Sequence, residues 1–142
     1  MTEPLTDTLT KLCHEHALTA LYVFGSRAAE VAARAAGEAA PAEQPGSDVD
    51  IGVLPSPATH LSAKARVRLA QRLESMLGVD RVDLVVLPEA EAFLAADVVR
   101  GELLAATDLD AEAESQLYYL RRAADLAPYL REQWREKVGA EL

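Results

Sequence analysis

Three aspartates and one Gly-Ser pair are the residues whose types and spacing could do chemistry. Asp48 and Asp50 are separated by one residue in SDVDIGV, and Asp83 sits in the apolar segment RVDLVVL. Side chains two apart on a strand project from the same face, so the first pair aims two carboxylates at one place. Carboxylates held that close repel unless a proton or a cation lies between them. Hard oxygen donors of this kind suit Mg²⁺, which combines one or two carboxylates with substrate phosphates. Asp83, inside an apolar strand, needs a partner because burying it alone is costly. A shared metal supplies one; a salt bridge to Arg81 or to a neighbouring helix is the alternative. Gly25-Ser26 falls between an apolar run and a helix-forming segment. Glycine there allows a tight turn and close backbone approach to a ligand, and the following helix N-terminus favours phosphate. Ser26 then either contacts phosphate or caps the helix. Arg27 either reaches phosphate or is an exposed helix arginine. A phosphate-cradling turn with three carboxylates describes metal-dependent nucleotidyl transfer, with Asp83 as a third ligand or as the base for an attacking hydroxyl.

The elements that must position these residues follow from periodicity. Leu5, Leu9 and Leu12 are spaced for a first helix over residues 6–16. The run ALYVF, residues 20–24, reads as a buried strand closed by Gly25. RAAEVAARAA is rich in helix formers, and GEAAPAEQPGS over 37–47 reads as an exposed loop. A second strand covers 48–54 and a third covers 81–87. Between them a helix over 61–77 ends at Gly78. Pro88 is expected to open a helix running to about Val99, and 101–106 a short strand. A last helix spans about 110–138. Acids at its start and Arg131, Arg135 and Lys137 at its end suit the helix dipole, and Pro128 should kink or divide it. Strands alternating with helices make an α/β or α+β domain, and no linker is long enough to separate two, so 1–142 is expected to be one domain. A second D-x-D pair, Asp108 and Asp110 in TDLD, precedes the last helix and reads as a capping segment.

Composition excludes several classes. The chain has 142 residues and a net charge of −9, which argues against a general nucleic-acid binder whose affinity comes from neutralising phosphates. No apolar run approaches the roughly 20 residues that span a membrane, and the N-terminal segment lacks signal-peptide character. Cys13 is the one cysteine, which precludes an internal disulfide and makes a reducing cytoplasm the default compartment. It reads as a small, semi-buried core residue. His14, His16 and His60 have no ligand-spaced neighbours and read as surface residues. Tyr118, Tyr119, Tyr129 and Trp134 on the last helix form either a partner-binding face or packing against the sheet.

On the Gly25-Ser26 turn, the Asp48-x-Asp50 pair and Asp83, the chain resembles the nucleotidyltransferase superfamily that includes DNA polymerase beta. Within it the likeness is to the minimal nucleotidyltransferases (MNT), the antitoxins of HEPN/MNT toxin–antitoxin pairs. The segments VVRGELLAATD and LYYLRRAADLAPYL are similar to that family's C-terminal portion. The resemblance implies a small mixed β-sheet flanked by helices, with Mg²⁺ at Asp48, Asp50 and Asp83 and ATP as substrate held by Gly25, Ser26 and Arg27. It also implies the antitoxin of a type VII-like pair that moves AMP onto a tyrosine of a HEPN ribonuclease toxin, with no direct nucleic-acid or membrane contact. The alternatives are an antitoxin that neutralises by binding alone, and an adenylyltransferase acting on a small-molecule hydroxyl. Ser26 and Asp48 are separated by 21 residues, about twice the family's usual spacing, and the extra length within 27–47 reads either as added helix and loop that leave the site in place or as a segment that covers the nucleotide pocket or touches the partner.

Overall fold

The computed structural model describes residues 5–38 and 48–141; most of the loop expected over 37–47 lies outside them. The elements run α1 (Leu5–Glu15), β1 (Leu18–Phe24), α2 (Ala28–Ala35), β2 (Val49–Pro55), α3 (Ala63–Leu77), β3 (Val82–Val86), a 3₁₀ turn (Leu87–Glu89), α4 (Ala92–Val99), β4 (Glu102–Ala106) and α5 (Leu109–Glu141). The four strands form one mixed sheet in the order β3-β2-β1-β4. β1 lies antiparallel to both β2 and β4, whereas β2 and β3 run parallel. A parallel pair cannot be joined by a hairpin, and α3 is the crossover that returns the chain.

Helices cover both faces of the sheet. On one face α1, α2 and α3 pack Leu9, Leu12, Val31, Leu69 and Leu73 against the odd-numbered residues Leu21, Val23, Ile51 and Val53. On the other, α4 and the start of α5 pack Ala95, Val98 and Tyr119 against Ala20, Tyr22 and Leu54. This double coverage explains why β1 reads as a continuous apolar run: its residues are buried on both sides until Phe24. Gly52 lets α4 approach β2, because a Cβ there would overlap Val98 Cγ1. Cys13 is fully buried in the first layer, and burial pushes its thiol up to about 12.

Capping residues set several helix boundaries. Ser62 accepts from the Ala65 amide at 3.1 Å to start α3, and Gly78 closes it in the left-handed conformation at φ 66°. The helix expected to begin at Pro88 does not. Pro88 sits in the 3₁₀ turn, Ala90 is extended, and α4 starts at Ala92 because the Glu91 carboxylate accepts from the amides of Phe93 and Leu94. Asp108 performs the capping expected of it, accepting from the Ala111 amide at 3.1 Å.

The last helix departs from expectation at its far end. It remains one element to Glu141, so Pro128 does not divide it, and Arg131, Arg135 and Lys137 lie before its final turn. Residue 124, whose carbonyl loses its partner at Pro128, is exposed, and water can serve that carbonyl. The helix is anchored at its start by a buried hydrogen bond: Tyr22 Oη donates to Glu112 Oε1 at 2.7 Å, and Gln116 Nε2 donates to the same oxygen at 2.9 Å. Tyr119 is buried, whereas Tyr118, Tyr129 and Trp134 are exposed, so only one of the four aromatics packs on the body.

Gly52→Ala is expected to destabilise the protein by about 1–3 kcal/mol through forced separation of α4 from the sheet. Urea unfolding checks this, and an unchanged midpoint would contradict the close α4–β2 contact.

Candidate active site

The chemistry-bearing residues gather at one end of the sheet, where β1 leaves and β2 and β3 begin. In β2, Val49, Ile51 and Val53 face the α1–α3 layer, so Asp50 points to the opposite face, as Gly52 does toward α4. In β3, Val85 belongs to that same face, and so does Asp83 two residues earlier. The parallel register pairs Asp50 with Asp83 directly. Neighbouring strands lie about 4.8 Å apart, so the two carboxylates are adjacent by construction. Asp48 precedes β2 by one residue, and the Val49 amide donates to the Arg81 carbonyl at 3.0 Å, which ties the two strand starts together.

Gly25 completes the arrangement. Phe24 pairs with Asp50 across β1 and β2, and the chain turns at Gly25 with φ +80°. A Cβ at Gly25 would overlap Asp50 Oδ2, so the position needs glycine both for its backbone angle and for the carboxylate lying against it. Ser26 is exposed beside this turn, and the helix N-cap position falls on Arg27, which makes no side-chain cap. Ser26 is therefore not the cap of α2.

Arg27 is not the exposed helix arginine that one reading expected. It is 7% exposed, and its Nε and Nη2 donate to the two carboxylate oxygens of Glu30 at 3.2 and 2.7 Å. Arg34 donates to Glu30 Oε2 at 2.9 Å and to the Leu77 carbonyl at 2.9 Å, joining α2 to the end of α3. This network braces the helix that follows the Gly-Ser turn. Glu30 is a residue that motif reading missed, although the spacing Arg27, Glu30, Arg34 is the i,i+3,i+4 pattern of a helix-borne ion pair.

The electrostatics are those of neighbouring like charges. Asp50 is held above the usual carboxylate range, first by desolvation and then by the charges of Asp83 and Asp48. Asp83 is only partly buried, so the cost that called for a buried partner is smaller than its apolar neighbours imply. Arg81 Nε stands 3.8 Å from both Asp48 Oδ2 and Asp83 Oδ1, but its side chain is 71% exposed and the attraction is screened. Among the described residues no group of three His, Cys, Asp or Glu side chains converges to enclose a metal ion. An acidic pair beside an open groove fits a cation that completes its shell with substrate oxygens, as Mg²⁺ does. That groove of about 640 Å³ runs from Gly25 and Ser26 to Arg100 and Glu102. Arg100, 4.0 Å from Asp97, is a cation on its rim that motif reading also passed over.

A family model described as polymerase beta, nucleotidyltransferase, matches residues 7–110, which include the Gly-Ser turn and all three aspartates. The chain belongs to that nucleotidyltransferase family. Its mixed sheet with flanking helices is the corresponding fold. Solved structures extend the likeness across nearly the whole chain. A toxin–antitoxin structure with AMP-PNP matches at 28% identity and a TM-score of 0.63, covering 96% of each chain. The toxin–antitoxin MntA–HepT matches at 26% identity and 0.59, covering 96% of this chain and 95% of that one. A tri-AMPylated Shewanella oneidensis HEPN toxin in complex with MNT antitoxin matches at 28% identity and 0.57, covering 96% and 94%. The MNT antitoxin of the last belongs by name to the group whose motifs this nucleotidyltransferase resembles. No curated protein sequence matches it. Among the described residues no helix is long and apolar enough to cross a membrane.

The raised pKa of Asp50 gives a signed expectation. Its protonated form is favoured in the fold, so its contribution to stability is full below the unfolded-state carboxylate pKa and is lost as pH rises through the folded value. Asp50→Asn should therefore raise the thermal midpoint near pH 7 by roughly 2–4 °C. The gain should shrink to nothing as pH falls below the carboxylate range. Melting curves across pH test it, and a variant less stable than wild type at neutral pH would contradict the repulsion described.

Proposed function

We propose that this nucleotidyltransferase is the antitoxin of a HEPN/MNT pair, acting in the cytoplasm as one domain over 1–142, and that it transfers AMP from Mg²⁺-ATP to a tyrosine of its HEPN ribonuclease partner. The observation that carries the reading is the in-register pairing of Asp50 with Asp83, with Gly25 against the Asp50 carboxylate. The likeness to a complex holding a tri-AMPylated HEPN toxin supports the acceptor, and the likeness to one with AMP-PNP supports the nucleotide.

In this reading Asp48 and Asp50 hold Mg²⁺, with Asp83 completing the set or acting as base. Bound there, the ion would neutralise charge developing on the triphosphate and stabilise the leaving pyrophosphate. The Gly25-Ser26 turn offers backbone N–H groups and the Ser26 hydroxyl to the phosphates, and the uncapped start of α2 adds its partial positive charge. The acceptor phenol forms its new O–P bond at the α-phosphorus as the bond to the bridging oxygen breaks and pyrophosphate departs. Where Asp83, on the same face as Asp50, acts as the base and not as a ligand, it would take the phenolic proton. Arg27 serves the phosphates only through the turn it braces while its guanidinium stays on Glu30. A direct contact would require it to leave that pair.

Intact-mass spectrometry of the co-expressed HEPN partner tests the proposal. Wild type is expected to add whole AMP units, and the Asp48→Asn, Asp50→Asn double variant is expected to lose at least about a thousand-fold in transfer while remaining folded. An unmodified partner that co-purifies equally with both forms would replace catalysis by neutralisation through binding.

A further inference from the structure

The buried face of α5 does not end where the body ends. Tyr119 and Ala123 are buried against the body, and the same face continues at three- and four-residue spacing through Leu126, Leu130, Trp134 and Val138. Beyond the body no described residue covers it: Leu130 is 49% and Trp134 68% exposed. The charges around this stripe are ordered. At 100° per residue, Arg131 flanks one edge and Lys137 and Arg122 the other, Arg135 lies farther round beyond Arg131, and Asp125, Glu132 and Glu136 fall on the opposite side of the helix together with Arg121. Residues 121–138 carry five basic and three acidic side chains, a net +2 in a chain of net −9.

From this placement we infer that the overhanging half of α5 is the surface that docks the HEPN partner, and that it seats in an apolar groove of that partner bordered by acidic residues. The inference rests on the proposed function for the identity of the partner. Charge decides among occupants. Two copies of the stripe laid face to face, in either direction, would bring basic edges against basic edges. A groove with an acidic rim instead pairs with both edges and leaves the α5 acids in solvent. Trp134 and Leu130 are the central anchors, and an aromatic and an aliphatic side chain inside a ring of polar contacts is the usual make-up of a binding hot spot. The active-site residues lie at the sheet end, in other elements, so docking and chemistry are separable by substitution.

The test is binding of full-length protein to the co-expressed HEPN toxin, with AMP transfer read in parallel. Leu130→Glu with Trp134→Glu should weaken binding about a hundred-fold or more. Arg131→Glu with Arg135→Glu should weaken it about ten-fold and reduce its salt dependence. Glu132→Lys with Glu136→Lys, on the opposite side of α5, should bind no worse than wild type. Thermal melts and the response to Mg²⁺-ATP should match wild type in all three, because none touches the body. Wild-type affinity in both the stripe and edge variants overturns the inference while leaving the proposed function intact. Self-association of wild type that the stripe variants abolish also overturns it, by assigning the stripe to a second copy. Wild type that neither binds nor modifies the toxin refutes the proposed function, and the docking surface falls with it.

Discussion

Two carboxylates held side by side across a parallel strand pair are the constraint on which the rest of this structure depends. Asp50 and Asp83 face each other because β2 and β3 share a direction and a register that pairs them. A one-residue slip would send one of them to the apolar α1–α3 layer. Parallel register cannot come from a hairpin, so the chain spends α3 on the crossover and packs Leu69, Leu73 and Leu77 beneath the sheet to hold it. β1 then fixes the third side of the site. Its antiparallel pairing sets Phe24 opposite Asp50, and the next residue, Gly25, has no side chain to displace the carboxylate.

That arrangement is unfavourable taken alone. Burial and like charge both disfavour ionised Asp50, and the positive φ at Gly25 is open to few residues other than glycine. The cost is offset elsewhere, by apolar layers on both faces of the sheet and by the Arg27–Glu30–Arg34 network. Removing one partner of a buried ion network is more damaging than the network is stabilising. Its value here is accordingly positional: it holds the first turn of α2, and so the residues that precede it. A cation bound as proposed would relieve the repulsion at Asp50 and would couple ligand occupancy to stability of the strand ends.

Much of this was legible in the residues, and what was not has identifiable causes. Period-two spacing placed Asp48 and Asp50 together, and Gly25 between an apolar run and a helix former marked the turn. Pairing direction was not legible, because strand order depends on which faces helices cover, and both faces are covered. The exposed-helix reading of Arg27 fails because a buried arginine differs from an exposed one only through its partner, here Glu30 three residues on. Pro88 was misplaced because proline fits a 3₁₀ turn as readily as a first helical turn, and the Glu91 side chain decided between them. Asp83 was expected deeper than it lies, since apolar neighbours report the burial of a strand and not of its first residues. Arg100 had no motif to mark it and became visible only when β1 and β4 brought it to the groove.

The last helix shows most directly what periodicity can and cannot say. A stripe of apolar residues runs from Tyr119 to Val138, with Leu117, Tyr118 and Tyr129 exposed on other faces, and periodicity treats the whole stripe alike. The body covers it as far as Ala123, through the Tyr22–Glu112 hydrogen bond and the packing of Tyr119, and then stops. An isolated helix of the remaining length would be marginal in water, so this one persists as a continuation of its anchored half. A stripe with no core of its own gains nothing from being apolar unless something covers it, and each exposed aromatic adds to the risk of unspecific association. The three acids lie opposite the stripe, with Arg121 among them, and Arg122, Arg131 and Lys137 border it, and unspecific burial would not require that order. Selection for a partner with its own charge pattern would, and the same ordering disfavours the self-pairing that an uncharged stripe would invite.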